Sequence, residues 1–409
     1  MHRPSPLTRR RLLGTSIGLA GSIAAPALRA QQPTEVKVGM VAPLSGPWSR
    51  PGTLMRQGAT MAIEAINADG GIRALGGAKM RLVAADAGDS ADKAANAVRG
   101  MMSEHPDLIA GSGAWLSNYT LAITEVSERA GLPWFTFSFS DQITGRGFQH
   151  VFQTAPKAST FADKATPTVL DLARTKGATV KRVAAIYDNT PNPSGFVRQL
   201  REQVFPKAGL ELVLDEVYSP PLSDATALIQ RLRRARPDMV YLLATNTSDY
   251  KLLFEKLSEL GIRKPMLGHG GTVLDPSVLS TVGPELLEGV ISTAAAWPGR
   301  AHAALERDYV ARTREPYLTQ DTIVPYAEMF IIRAALEAAG KADRAALSAV
   351  LHERAFSEAE SAGVFPGGVS YDERGLRRGE TVMLVQWQGG RPALVYPEEV
   401  AASRAVWAQ

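Results

Sequence analysis

The sequence predicts an α/β protein built from two parallel, doubly wound sheets. Beyond residue 35, short apolar runs typical of buried strands alternate with segments of helical periodicity. A second series of the same kind follows the first after about residue 155. Strands that alternate with helices favour parallel sheets with right-handed crossovers. Because no low-complexity linker separates the two series, we expect two lobes joined by chain crossings.

The elements of the first series follow from apolar runs and from turn residues that end them. The strand at 36–43 leads into a loop rich in Gly, Pro and Ser, and Asp69-Gly70-Gly71 ends the helix after it. Predicted strands are 36–43, 79–86, 108–111 and 132–137, and predicted helices are 54–67, 91–103 and the segment that begins at Ser117.

The second series shows the same alternation and ends differently. Its predicted strands are 182–188, 210–218, 239–244, 265–268 and 289–295, and its predicted helices are 161–176, 195–208, 225–236 and 248–260. Helical segments follow at 301–309, 326–339 and 341–350. The strands at 381–387 and 393–396, separated by Gly389-Gly390, predict a hairpin.

Residues 1–30 have the pattern of an export signal. Arginines at 9, 10 and 11 precede an apolar stretch, and the small residues near Ala27 and Ala30 are typical of a cleavage site. The paired arginines favour twin-arginine export, with an ordinary secretory signal as the alternative. We therefore expect a periplasmic protein whose signal is cleaved near Ala27 or Ala30.

Charge and composition narrow the possible functions. The formal net charge is +4, but residues 1–30 hold five arginines and no acid, so removing them leaves −1. This balance argues against a nucleic-acid partner. The chain has no cysteine, which excludes disulfides and thiolate metal sites. No Walker loop, no G-x-G-x-x-G after a strand and no H-E-x-x-H occurs, so we expect no cofactor, no metal and no enzyme activity.

Two serine-bearing loops stand out as a candidate ligand site. The first, from Gly111 to Ser117, follows a strand and opens a helix that Ser117 is expected to cap. The second, Ser138-Phe139-Ser140, follows the next strand. Helix amino termini favour anions, and open α/β sheets bind ligands at the carboxyl ends of their strands. The alternative is that these serines only cap and turn.

Several stretches together resemble one known family. They are PLSGP at 43–47, INADGGI at 66–72, the loop and helix at 113–131, the strand that leads to Ser140, and RGFQHVFQTAP at 146–156. In this order they are similar to the branched-chain amino-acid (Leu/Ile/Val) binding proteins, the type I periplasmic solute-binding proteins of ABC importers. The resemblance covers residues 35–400.

The resemblance implies two Rossmann-like lobes joined by a three-crossing hinge, with the ligand held between them. The implied division puts residues 31–152 and 292–368 in the first lobe, and residues 153–291 and 369–409 in the second. The crossings would lie near 151–156, 291–296 and 366–371. Lobe closure on a ligand is a hinge motion that a transporter can recognise.

The resemblance also implies roles for individual residues. Ser117 and a backbone N–H would hold a ligand carboxylate, and Ser138 or Ser140 with a neighbouring carbonyl would hold an amino group. The family's acidic residue in the second lobe is absent from the loop 268–272, which carries His269 instead, and Asn192 or Pro193 replaces an aromatic residue. Aromatic side chains flank the first-lobe loops. The candidate ligand contacts are Trp48, Trp115, Ser117, Asn118, Ser138, Phe139, Ser140, Asn192 and His269.

The resulting hypothesis is a periplasmic, monomeric solute-binding protein of an ABC importer. It would bind a small carboxylate-bearing molecule, either an amino acid or an aromatic or aliphatic acid, and deliver it to an inner-membrane permease. The alternatives are a ligand-sensing receptor or amide-type regulator of the same fold, and an enzyme. The acidic residue that the resemblance implies is absent from the loop 268–272. Because a buried ammonium group without a partner is costly, this absence argues against an α-amino-acid ligand.

Overall fold

A computed structural model describes residues 1–2 and 33–407 of the chain. The cleavage sites and the arginines predicted to form the export signal lie outside the described residues. Within the described part of the chain, the strands fall into two sheets, as predicted.

The first sheet has five parallel strands in the order β2-β1-β3-β4-β5. Its strand β1, between β2 and β3, has its last five residues buried, because helices cover both faces of the sheet. The strands are β1 (Glu35–Ala42), β2 (Lys79–Asp86), β3 (Leu108–Gly113), β4 (Trp134–Thr136) and β5 (Val151–Gln153). The short strand β5 lies where the sequence predicts only a crossing.

Helices from both ends of the chain pack on the first sheet and complete the first lobe. They are α1 (Ser49–Ala68), α2 (Ala91–Glu104), α3 (Ser117–Arg129), α11 (Ala303–Thr313), α12 (Gln320–Ala339) and α13 (Arg344–Glu353). The helices α1 and α12 approach so closely at Gly58 that a Cβ atom there would lie 2.0 Å from the carbonyl oxygen of Thr322. This close contact ties the amino end of α12 to the first lobe.

The second sheet has seven strands in the order β12-β11-β10-β9-β8-β6-β7. The strands are β6 (Arg182–Asp188), β7 (Glu211–Tyr218), β8 (Met239–Leu243), β9 (Met266–His269), β10 (Ile291–Ala294), β11 (Met383–Gln388) and β12 (Arg391–Tyr396). It is parallel from β7 to β10, but β11 and β12 run antiparallel as the predicted hairpin. The second lobe is therefore mixed rather than wholly parallel.

The helices of the second lobe lie between these strands in sequence. They are α4 (Ala158–Thr175), α5 (Pro191–Gln199), α6 (Phe205–Ala208), α7 (Thr226–Ala235), α8 (Thr247–Glu259), α9 (Pro276–Val282) and α10 (Pro284–Leu287). A π-helical segment, Leu200–Val204, joins α5 to α6. The helix predicted over 195–208 is thus continuous in space but irregular in its middle. The short helices α9 and α10 are not predicted by the sequence.

Strand pairings bear on two of the expected crossings. The strand β10 (Ile291–Ala294) pairs with β9 and β11 of the second sheet, so an exit from that sheet after Ala294 lies within the predicted range 291–296. Leu376 forms a parallel bridge with Gln153 of the first sheet, and Arg377 Nε donates to the Thr154 carbonyl over 2.7 Å. We therefore propose that the third crossing follows Arg377, and the division into lobes stays a prediction.

Among residues 1–2 and 33–407, no helix has the length and apolar character needed to cross a membrane.

Candidate functional site

A cleft lies between the two lobes. Its empty space, with the solvent region at its mouth included, is about 430 Å³. It is bordered by loops that follow strands of both sheets, where parallel α/β folds place their ligands. Six of the residues predicted as ligand contacts line it: Trp115, Ser117, Ser138, Phe139, Asn192 and His269.

The loop after β3 holds Trp115 in a fixed position. Trp115 has a φ of 79°, a left-handed conformation that is uncommon outside glycine. Its indole Nε1 donates to Asp321 Oδ1 over 3.0 Å, and its carbonyl accepts a bond from the Ser138 hydroxyl over 2.8 Å. Backbone and side chain are both anchored, so the ring forms a fixed wall of the cleft.

Ser117 is the first residue of α3 rather than its cap. The residue before the helix is Leu116, which is extended (φ −68°, ψ 129°) and cannot cap with its side chain, so the capping prediction is wrong. The Ser117 hydroxyl instead accepts a bond from the backbone N–H of Ser140 over 3.3 Å. No hydrogen-bond partner among the described residues is found for the N–H groups of Ser117 and Asn118. This end of α3 presents free donors beside the cleft.

Ser138 belongs to a network inside the first lobe. Its hydroxyl donates to the Trp115 carbonyl and lies 2.7 Å from the Thr120 hydroxyl, which also accepts the N–H of Ala114. Its carbonyl accepts a bond from Gln153 Nε2. A serine hydroxyl has one proton and two acceptor sites, so Ser138 retains only limited capacity to accept a bond from a ligand.

The remaining first-lobe candidates are placed differently. Trp48 packs edge-on against Tyr119 with ring centroids 6.3 Å apart and is not one of the residues that line the cleft. Ser140 is buried, and its hydroxyl accepts the N–H of Gln142, as the turn alternative predicts. Asn118 has a buried side-chain oxygen for which no partner is found among the described residues, and it also lies outside the cleft lining.

His269 lies at the end of β9, in an aromatic cage formed by both lobes. Its ring stacks on Phe196 with centroids 4.3 Å apart and contacts Phe139 at 5.2 Å and Phe161 at 4.9 Å. Burial lowers the pKa of His269 to about 3, so the imidazole is neutral at physiological pH. Its Nε2 lies 2.7 Å from Asn192 Oδ1, and its Nδ1 lies 2.6 Å from the Thr293 hydroxyl.

Several lining residues were not predicted. Thr190 and Thr245 follow strands β6 and β8, so the strand-end argument applied to Ser117 could have found them. Gln320 lines the cleft from the start of α12, where the sequence carries no comparable signal. The neighbouring Asp321 is fully buried, and desolvation raises its pKa to about 7. This carboxyl group lies behind Trp115 at the edge of the site.

Two α/β lobes that meet over a small cleft lined by hydroxyl, amide and aromatic groups define a ligand-binding protein. Residues 35–391 match the family model described as periplasmic binding protein, which covers most of the chain, and the chain belongs to this family. It is therefore a solute-binding protein and not an enzyme, and the members of its family are periplasmic.

Curated relatives match along almost the whole chain. The Leu/Ile/Val-binding protein homolog 7 of Brucella abortus (strain 2308) is 27% identical over 415 residues, with 96% of this chain and 98% of the relative covered. The Leu/Ile/Val-binding protein homolog 8 of Brucella suis biovar 1 (strain 1330) is 28% identical, with 97% of this chain and 98% of the relative covered. These relatives support the predicted resemblance to the branched-chain amino-acid binding proteins.

Solved structures share the fold. The branched-chain amino-acid substrate-binding protein LivJ of Streptococcus pneumoniae, in complex with isoleucine, has a TM-score of 0.76 at 19% identity and covers 88% of this chain and 97% of its own. An ABC-transporter solute-binding protein of R. palustris, in complex with benzoate, has a TM-score of 0.73 at 17% identity. The match covers 92% of this chain and 97% of that protein. The predicted fold class is thus confirmed.

Proposed function

We propose that this protein is the solute-binding component of an ABC importer and that it captures a small carboxylate-bearing molecule in the cleft between its lobes. The observation that carries the ligand class is the amino end of α3. There Ser117 lines the cleft with its hydroxyl and with a backbone N–H group for which no partner is found among the described residues, and the N–H of Asn118 follows it in the first turn of the helix. Charge-assisted bonds to a carboxylate contribute about 1.5–3 kcal/mol each, so a few such donors anchor a small anion.

The fold neighbours support this range of ligands without selecting one. One is described with isoleucine and another with benzoate, and both ligands carry a carboxylate. Trp115 and Phe139 supply apolar walls that suit either an aliphatic or an aromatic body. The closed cleft is consistent with a binding protein whose ligand-bound form is recognised by a membrane permease.

The test is to identify what the protein carries and what stabilises it. Mass spectrometry of the purified, undenatured protein should find a small carboxylic acid, and a thermal-shift panel should show carboxylic acids raising the melting temperature. A ligand at a hundred times its dissociation constant adds about 2.7 kcal/mol of stability, which such a panel detects. A co-purified compound without a carboxylate, together with no response to any acid, would refute the proposal.

A further inference from the structure

The wall of the second lobe contains a chain of three side chains that ends in the cleft. Thr293 of β10 contacts His269 of β9, and His269 contacts Asn192 at the start of α5, over 2.6 and 2.7 Å. Thr293 and His269 are buried, and Asn192 lines the cleft together with His269. These three residues are the hydroxyl–imidazole–amide relay.

The direction of the bonds in this relay follows from the Thr293 hydroxyl. Its oxygen accepts the N–H of Gly270 over 3.3 Å, and among the described residues the acceptor found for its own proton is His269 Nδ1. A neutral imidazole has one donor and one acceptor nitrogen. With Nδ1 accepting from Thr293, the ring proton is on Nε2 and is donated to Asn192. The opposite tautomer would leave the hydroxyl proton without an acceptor among the described residues.

The consequence for Asn192 is a fixed amide orientation. Its oxygen accepts the imidazole N–H, so its NH₂ group is turned away from His269. No partner for that NH₂ group is found among the described residues, and Asn192 borders the cleft. The second lobe therefore offers the ligand a hydrogen-bond donor.

We infer that Thr293 and His269 are positioning residues that hold the Asn192 amide as a donor, so that the ligand presents an oxygen acceptor, and not an ammonium group, to the second lobe. This rests on the proposed function and narrows its ligand class. The favoured ligands are carboxylates whose far end carries a carbonyl, carboxylate or hydroxyl oxygen. An ammonium group would face NH₂ protons, which are repelled by its charge.

Two nearby acids do not alter this arrangement. Asp188 accepts the N–H groups of Thr190 and Thr245, over 2.9 and 2.6 Å, and is buried beneath the loops. Asp321 accepts the indole N–H of Trp115 and is not one of the lining residues of the cleft. Neither carboxylate replaces the acid missing from the loop 268–272.

The binding test uses two matched sets of probes and the full exported chain, freed of endogenous ligand. The aliphatic set is pentanoate, 4-oxopentanoate and 5-aminopentanoate, and the aromatic set is benzoate, 4-acetylbenzoate and 4-(aminomethyl)benzoate. In at least one set, calorimetry should show the carbonyl compound binding at least tenfold more tightly than its ammonium counterpart. Equal or tighter binding of the ammonium compounds overturns this inference and leaves the carboxylate proposal standing. Binding of none of the six overturns both.

Variants test the relay itself. Thr293→Val removes the hydroxyl at nearly constant shape, so the preference for the carbonyl compound should fall at least fivefold, whereas Thr293→Ser should keep it within twofold. Asn192→Asp turns a second oxygen toward the cleft and should reverse the preference. An unchanged preference in both Thr293→Val and Asn192→Asp overturns the inference.

A spectroscopic measurement separates positioning from a merely structural role. In protein labelled with ¹⁵N-histidine, the ring of His269 should show the Nε2-protonated neutral tautomer from pH 5 to pH 8, assigned with His269→Phe. Thr293→Val should disturb that tautomer and Thr293→Ser should not. A native protein with the Nδ1-protonated tautomer would contradict the inference.

Discussion

Arg50 on α1 of the first lobe and Asp275 before α9 of the second lobe form an ion pair across the cleft, with Arg50 Nε 3.2 Å from both carboxylate oxygens of Asp275. The two terminal nitrogens of the guanidinium, Nη1 and Nη2, each donate a bond of 2.6 Å to the carboxylate of Glu315. Asp275 is almost fully buried and 28% of the Arg50 side chain is exposed, so this interaction is partly shielded from solvent. It links the two lobes in the closed arrangement.

Removal of this link should weaken ligand binding by destabilising closure. In Arg50→Met the carboxylates of Asp275 and Glu315 lose their shared cation, while Asp275 keeps its capping bond to the N–H of Ser277. We expect affinity for the co-purified compound to fall about tenfold, the equivalent of about 1.4 kcal/mol, because removing one partner of an ion pair destabilises the arrangement that contains it. Titration calorimetry measures the change.

The matched control is Arg312→Met. Arg312 pairs with Glu64 and Asp308 on helices of the first lobe, so its loss removes an ion pair without affecting closure. An equal loss of affinity in both variants would show that Arg50 has no specific part in holding the lobes together.

Ser117 and Ser140 should differ in their effect on binding. Ser117→Ala removes a hydroxyl that borders the cleft and should cost at least about 1 kcal/mol in affinity for a bound carboxylic acid. Ser140→Ala removes a buried hydroxyl bonded to Gln142 and should change affinity less. Calorimetry with the same acid compares them, and an unchanged affinity in Ser117→Ala would remove this serine from the site.

Glu328 should make stability depend on pH. This fully buried carboxyl accepts bonds from the hydroxyls of Ser112 and Thr154, over 2.6 and 2.8 Å. Burial raises its pKa from 4.5 to about 7, so the folded protein keeps a proton there that the unfolded chain loses near pH 4.5. The contribution of Glu328 to the free energy of unfolding therefore falls as pH rises from about 4.5 through 7.

Glu328→Gln should remove that dependence. An amide does not titrate, and it can accept from Ser112 while donating to Thr154. The variant should match the native protein near pH 5 and exceed its stability at pH 8 by up to about 3 kcal/mol, the equivalent of the shift in pKa. Urea unfolding at both pH values tests this, with the exposed Glu104→Gln as control. A variant less stable than the native protein at pH 8 would contradict it.

The strands and helices could be predicted because each is formed by consecutive residues of the chain. β6 over Arg182–Asp188 and β2 over Lys79–Asp86 have the predicted bounds. An apolar run ended by turn residues is typical of a buried strand, and β6 is buried after its first residue, whereas β2 is an edge strand with one buried residue. The three-residue strand β5 was not recognised, because its sequence is too short to show a period. It pairs with β4, and its last residue, Gln153, also bridges Leu376, which lies more than two hundred residues away.

The site was harder to predict because its side chains are arranged by distant partners. The position of Ser117 relative to the cleft follows from a local pattern, and the structure places it there. The environment of His269 depends on Asn192 and Thr293, which lie 77 and 24 residues away in sequence. Trp48 packs on Tyr119 instead of entering the cleft, a choice that sequence composition alone does not determine.

Gly271 of the second lobe lies close to the start of α12. Its backbone conformation (φ −78°, ψ −21°) is open to any residue, so glycine is not required there by local geometry. A Cβ atom at this position would lie 2.7 Å from Gln320 Nε2 and 3.0 Å from Asp321 Oδ2. Gln320 Oε1 accepts the N–H of Ala295 over 3.0 Å, so moving this side chain away from a methyl group would strain or break that bond.

Gly271→Ala should therefore hold the lobes slightly apart. We expect affinity for the co-purified compound to fall at least tenfold, because only the closed form contacts the ligand from both sides, while the melting temperature of the ligand-free protein stays close to native. The control Gly299→Ala places its methyl group in open space and should bind normally. Small-angle scattering with saturating ligand should show a larger radius of gyration for Gly271→Ala than for the control. Native affinity in Gly271→Ala would mean that closure tolerates a methyl group at this contact.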